Sequence, residues 1–236
     1  MNALFEELAY SSTAIGNLSL RRRKELSLGI DVFEIKLNDD FLMSSLFTEG
    51  EVELAKLGLS GLSATSLDVA VGGLGLGYTA RTVLESPAVR SVLVIEALTE
   101  VIDWHQRGLV PLGRQLTADP RCQFMNGDFF ALARSGSLAP LTPGRLFDAI
   151  LLDIDHSPRN VLHPSHAALY KREGMRGIAA QLRPAGVFAL WSNDAPDADF
   201  MRVLADVFSG SQAHVVRFRN LARNELAENT VYVARR

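Results

Sequence analysis

Six residues, Gly72-Gly73-Leu74-Gly75-Leu76-Gly77, follow directly on the apolar stretch Ser66-Leu67-Asp68-Val69-Ala70-Val71. Glycine at such a place permits close backbone approach, and a helix opening behind it presents N–H groups to a ligand. Three acids then recur at comparable positions. Glu96 ends the apolar run Val92-Leu93-Val94-Ile95, Asp128 follows Gly127 after Cys122-Gln123-Phe124-Met125, and Asp153 ends Phe147-Asp148-Ala149-Ile150-Leu151-Leu152. An acid about 20 residues beyond a glycine turn can accept both hydroxyls of a ribose. Asp128 is placed to take an adenine amino hydrogen. Each acid alone fits a helix cap or a turn equally well. Their occurrence together with the glycine run, at four successive strand ends, is what favours a ligand.

Those ends must meet in one crevice, so the elements carrying them need a common sheet. The apolar runs at 66–71, 91–96, 122–125, 147–153 and 186–191 read as continuous buried strands. Segments at 78–84, from about 98, and at about 165–182 read as helices between them. Buried strands separated by helices form a mainly parallel sheet covered on both faces. This is an α/β, Rossmann-like, doubly wound arrangement, in which ligands lie beyond the carboxyl ends of the strands at the switch point. Residues 214–218 and 230–233 read as a closing antiparallel pair. The N-terminal part differs. Alternation through Ile30, Val32, Phe33, Ile35 and Leu37, then Asn38-Asp39-Asp40 and Phe41-Leu42-Met43, predicts a short β-hairpin, and 49–59 predicts a lead-in helix. The expected division is residues 1–62 for hairpin and helix and 63–236 for the ligand-binding domain.

A net charge of −3 in 236 residues leaves no basic footprint for nucleic acid. The run Arg21-Arg22-Arg23-Lys24 reads as a solvated face. One cysteine, Cys122, precludes an internal disulfide, and no Cys/His spacing suits zinc, so no metal is expected. The stretch Met1-Asn2-Ala3-Leu4-Phe5-Glu6-Glu7 is acidic where a secretory leader would be basic, and no apolar run approaches a membrane span, so a cytoplasmic protein without a membrane partner is expected. The glycine run lacks the Lys-Ser/Thr of a phosphate-binding loop, which disfavours ATP hydrolysis. A nicotinamide enzyme stays open. The Gly-Asp after strand 3 and the acid after strand 4 suit an adenosyl sulfonium better.

With these residues in hand, the chain resembles the spermidine/spermine synthases, or polyamine aminopropyltransferases, which share the fold of class I methyltransferases. The matching stretches are Val71-Gly72-Gly73 through Gly77 with Arg81, Val94-Ile95-Glu96, Asp119-Pro120-Arg121, Gly127-Asp128, 147–153, 182–188 and the turn Leu37-Asn38-Asp39, in the family's order. Val71 separates the chain from ordinary methyltransferases, which usually keep an acid two residues before the first glycine of their motif.

The resemblance implies polyamine biosynthesis, with an aminopropyl group passing from decarboxylated S-adenosylmethionine to a small amine and methylthioadenosine as product. It implies Asp153 as the base, Asp155 as a second acid, and Gly72, Gly73, Gly75, Gly77, Glu96, Ala97, Gly127, Asp128, Phe129 and Asp153 around the donor. His156, Tyr170 and Trp191 are expected on the amine side, and a homodimer is admitted. Two departures are visible. Gly75 replaces the acid that holds the donor's ammonium, and Leu42 stands in place of a hairpin glutamine. Gly75 keeps open intact S-adenosylmethionine, hence a methyltransferase yielding S-adenosylhomocysteine or a cyclising enzyme, and a non-catalytic adenosine-binding protein is a third reading. For His156 a polar loop role, for His163 and His166 a surface pair, and for Trp104 a core position are the plainer readings.

Overall fold

In a computed structural model describing residues 4–220 and 225–236, strands alone make up the first part of the chain. The acidic stretch weighed against a leader begins in residues 1–3, outside the described residues. Four strands, β1 (Phe5–Thr13), β2 (Gly16–Glu25), β3 (Ile30–Leu37) and β4 (Asp40–Ser44), pair antiparallel in chain order. The predicted hairpin is β3–β4, turning at Asn38 with φ 54°, a left-handed geometry that Asn tolerates. Sequence reading missed β1 and β2, so one hairpin becomes a four-stranded sheet. The basic run lies on β2, where neighbouring strands answer it with acids. Arg22 pairs with Glu6 at 2.7 Å, Arg23 with Glu34 at 2.8 Å and Lys24 with Asp31 at 3.5 Å. Such cross-strand pairs keep a solvated face in register.

After α1 (Glu49–Leu59) the chain alternates: β5 (Leu67–Gly72), α2 (Tyr78–Leu84), β6 (Val89–Glu96), α3 (Thr99–Gln106), α4 (Gly113–Ala118), β7 (Cys122–Asn126), α5 (Phe129–Ser135), β8 (Phe147–Leu152), α6 (Arg172–Ala180), β9 (Leu182–Ser192), α7 (Ala198–Val207), β10 (Gly210–Asn220) and β11 (Glu225–Arg235). These strands form one sheet, ordered β10-β11-β9-β8-β5-β6-β7. The five from β9 to β7 run parallel, and β11 and β10 close it antiparallel, as the sequence predicts. Two apolar clusters fill its faces, one through Val69, Val71 and Leu151, the other through Ala70, Ile150 and Phe188. The expected helix at 165–182 is broken. A 3-10 turn, Pro164–Ala168, precedes α6, with the His163 side chain accepting from the Ser165 N–H. None of the helices among the described residues is long and apolar enough to cross a membrane.

Two consequences of this topology position the site. The chain leaves β5 toward β6 on one side and later returns to β8 on the other, so β5 and β8 are parallel neighbours at the switch point. Helix α1 crosses the sheet antiparallel to β9. A side chain on Gly58 would meet Leu151 and Ala189, and one on Gly50 would collide with the Trp191 indole nearer the strand's end. The first turn of α1 therefore reaches the carboxyl edge.

The opposite edge is clamped. Buried Asp68 at the start of β5 takes Arg90, Ser91 at 2.6 Å and Arg183 at 2.9 Å, and Asp148 takes Arg183 at 2.5 Å. Burial works to raise the Asp68 carboxyl, and the Arg90, Ser91 and Arg183 hydrogen bonds outweigh it, holding it at about 2.

Candidate functional site

The glycine run leaves β5 and folds back on itself. Gly73 has φ 95°, and a Cβ there would run into the Asp153 carbonyl oxygen, so only glycine lets the loop lie on the end of β8. The backbone closes the seam, since the Asp153 N–H donates to the Gly72 carbonyl at 2.9 Å. Gly77 ends the run as the N-cap of α2, with φ 91°.

The loop's donors point inward, contrary to the expectation that it offers N–H groups to a ligand. Gly73 donates to the Ile95 carbonyl at 2.9 Å, and Gly77 to the Leu74 carbonyl at 2.8 Å. Leu74 donates to Glu96 Oε2 at 3.0 Å, and Gly75 also donates to that carboxylate. Leu76 donates to the Met43 thioether at 3.0 Å. Five successive donors are thus used within the protein. A loop built this way is no cradle for a pyrophosphate, which needs free N–H groups, and it favours a ligand without phosphate.

The Gly75–Leu76 peptide is gripped at both ends. Its carbonyl receives His105 Nε2 at 2.9 Å from α3, while its N–H meets Met43 Sδ from β4. The carbonyl only accepts, so Nε2 carries the proton, and burial pushes the His105 imidazole down to about 4, keeping it neutral. Gly75 has φ 47°, and a Cβ there would lie 2.7 Å from Met43 Sδ. Neither Met43 nor His105 was marked in the sequence, because neither lies near the glycines in the chain.

The acids divide by their surroundings. Glu96 accepts from Leu98 N at 2.9 Å as well as from Leu74, Gly75 and Ala97. Burial pushes its carboxyl up, with those four bonds opposing. Ala97 is exposed, and its carbonyl takes the Asn126 amide at 3.0 Å. Asp128 caps α5, its Oδ1 accepting from Phe130 N at 2.8 Å and Ala131 N at 3.1 Å, so the plainer reading of that residue is realised. Gly127 donates to the Glu96 carbonyl at 2.9 Å, tying the ends of β6 and β7. Phe129, expected around the donor, is core, with its ring against Gly72.

Asp153 stands apart. Its Oδ2 accepts from Thr79 Oγ1 at 3.0 Å at the start of α2. Burial pushes its carboxyl up to about 6, with the Thr79 bond opposing. Glu51, in the first turn of α1, is close enough for the two charges to interact. Burial first, then Asp153, pushes the Glu51 carboxyl up to about 8. Sequence reading missed Glu51, which looks like an ordinary acid at a helix start.

The remaining expected residues are placed elsewhere. Asp155 is buried and accepts from Leu162 N at 2.8 Å, His166 Nδ1 at 2.8 Å and Tyr170 Oη at 2.7 Å. Asp155 and Tyr170 therefore fasten the segment after β8 from within instead of lining the crevice. His166 is no surface residue, since its ring stacks on Phe130 at 3.6 Å between centroids. The His156 carbonyl receives Asn193 N at 2.7 Å, which links the loops after β8 and β9. Trp191 lies half-buried under α1, and its indole N–H has no partner among the described residues. Trp104 is core. A cavity of about 250 Å³ opens at the end of β9 beside Ser157, Asp194 and Tyr232. Its Asp197 is committed to Arg159, at 2.6 and 2.8 Å.

This arrangement has relatives. No family model matches the chain. Polyamine aminopropyltransferase 2 of Pseudomonas aeruginosa is 30% identical over 161 residues, which are 64% of this chain and 41% of the relative. The match thus covers about two fifths of that protein's length. Among solved structures, spermidine synthase from Thermotoga maritima superposes with a TM-score of 0.69 at 17% identity, over 97% of this chain and 72% of that one. A spermidine synthase in complex with the transition state analogue AdoDATO gives the same figures. A probable spermidine synthase from Corynebacterium glutamicum has a TM-score of 0.63 at 14% identity, over 96% and 79%. This chain is thus similar in fold to spermidine synthases and, over about two thirds of its own length, similar in sequence to a polyamine aminopropyltransferase.

Proposed function

We propose that the chain is a transferase that moves an aminopropyl group from decarboxylated S-adenosylmethionine to a small primary amine, in polyamine biosynthesis, with Asp153 as the base. The observation that carries this reading is the seat of Asp153, pressed against the glycine turn and bonded to Thr79 at 3.0 Å. A carboxylate raised to about 6 is ionised at neutral pH yet basic enough to hold a proton in passing. The amine's lone pair forms the new C–N bond to the propyl carbon beside sulfur. The C–S bond breaks, its electrons remain on sulfur, and methylthioadenosine leaves as a neutral thioether. The amine's surplus proton goes to Asp153 and then to water. Positioning supplies much of such a rate, and the inward-bonded loop fixes the wall against which the donor lies. Glu96, Gly127 and Asp128 form the adenosyl side. A ribose diol there would take over part of the acceptor capacity that Glu96 now spends on backbone N–H groups.

Replacing Asp153 with Asn keeps size and the Thr79 contact and removes the base. Turnover is expected to fall at least about 10²-fold while methylthioadenosine affinity, read by calorimetry, stays within twofold. In the parent protein kcat rises with pH through about 6. Full activity in Asp153→Asn would overturn the assignment, and methyl transfer from intact S-adenosylmethionine would establish the other reading that Gly75 leaves open.

A further inference from the structure

Of the acids along the carboxyl edge, most are spent. Glu96 serves four backbone N–H groups, Asp128 caps α5, Asp155 binds Leu162, His166 and Tyr170, and Asp197 holds Arg159. Glu51 and Asp153 are different. Neither has an ion-pair partner among the described residues, although Asp68, Asp119 and Asp197 each have an arginine. Two such carboxylates in a poorly hydrated crevice repel each other unless a proton or a cation lies between them.

The glycine loop adds no charge at this place. Met43 Sδ occupies the space into which a side chain at 75 would project, and Leu76 N is bonded to that sulfur. Charge must therefore come from α1, whose first turn the Gly50–Trp191 contact brings to the strand ends. Tyr78, at the start of α2, lies within electrostatic reach of Glu51, and the adjoining Thr79 bonds Asp153. The crevice wall beside the pair is thus β4, α1, α2 and the end of β8.

We infer that Glu51 is the specificity-determining residue of this site: together with Asp153 it seats one primary alkylammonium group and turns away a ligand that carries a carboxylate there. The inference rests on the function proposed above and assigns the residue that selects the decarboxylated donor named there. Without ligand the pair keeps a proton on Glu51, whose carboxyl lies at about 8, so entry of a cation at neutral pH expels a proton. An alkylammonium is available on the donor's tail and on the acceptor amine.

The test is calorimetric titration of the parent protein and of Glu51→Gln at pH 7, in buffers of different ionisation enthalpy. The probes are methylthioadenosine, decarboxylated S-adenosylmethionine, intact S-adenosylmethionine, and 1,4-diaminobutane added to the methylthioadenosine complex. The parent is expected to prefer the decarboxylated donor to the intact one by at least tenfold, with proton release. Glu51→Gln is expected to weaken an ammonium-bearing ligand at least tenfold, to lose the proton release, and to hold methylthioadenosine within twofold; Glu51→Asp restores part of the affinity. Loss in the donor arm places the ammonium on the donor's tail, and loss in the diamine arm places it on the acceptor. Unchanged binding of both, equal weakening of methylthioadenosine, or a parent that binds the intact donor as tightly overturns the role of Glu51 and leaves the proposed fold of chemistry standing. A parent that binds none of the adenosyl ligands overturns the proposed function, and this inference with it.

Discussion

At position 75 the chain and its resemblance part company, and the structure gives the reason. A carboxylate could not simply be restored there, because Met43 Sδ lies 2.7 Å from where its Cβ would sit and the backbone is left-handed at φ 47°. Gly75→Asp is therefore expected to lower stability by about 1–3 kcal/mol through strain and overlap. Combined with Met43→Ala, the overlap disappears, and part of that loss should return in thermal melts. Simple addition of the two single losses would show that the contact is unimportant. The sequence displays Gly75 plainly but cannot show its occupant, which comes from a strand some thirty residues earlier. Glu51 escaped notice for the same reason: its meaning lies in its distance from Asp153, and 102 positions separate them in the chain.

Among elements, those with strong apolar runs were legible. β5, β6, β7 and β8 fall within two residues of their expected bounds, and α1 and α2 match. The antiparallel pair β10–β11 was legible too, though both strands are longer than expected. The short α4 and the longer α7 were not legible, nor were β1 and β2, whose polar ladders lack a clean period of two. The segment after β8 is less uniform than expected. Asp-x-Asp there suggested two working acids, whereas their hydrogen bonds separate them, Asp153 to Thr79 at the glycine turn and Asp155 inside to His166 and Tyr170. Asp155→Asn should accordingly act on folding, with a cost of about 2–4 kcal/mol for a broken buried network. A melting temperature lower by roughly 5–15 °C, with methylthioadenosine affinity retained at low temperature, is the expected result. Lost affinity without lost stability would return Asp155 to the crevice.

Across the whole molecule the two edges of the sheet treat acids in opposite ways. At the amino edge Asp68 is compensated and held at about 2, below its ordinary 3.8. A depressed carboxyl contributes stability that is full above its unfolded value and is lost as pH falls through the folded one, here about 2 kcal/mol in total. At the carboxyl edge Asp153 and Glu51 are raised to about 6 and about 8. Their contribution is full below the unfolded values and is lost as pH climbs through the folded ones. Thermal melts between pH 2 and pH 9 should therefore peak at about pH 4–5, and Asp68→Asn should lose stability mainly above about pH 4, flattening the rise on the acid side. A maximum above pH 7 would contradict this division of the sheet.

The grip of Met43 on the Gly75–Leu76 peptide has a practical side. The chain contains five methionines, and among the described ones Met43 alone has its sulfur on the glycine loop. Its terminal methyl is thus an in-built spectroscopic probe. In protein grown on carbon-13 methyl methionine, one resonance among five would register the arrival of a ligand at the loop, without a label having been attached anywhere near it.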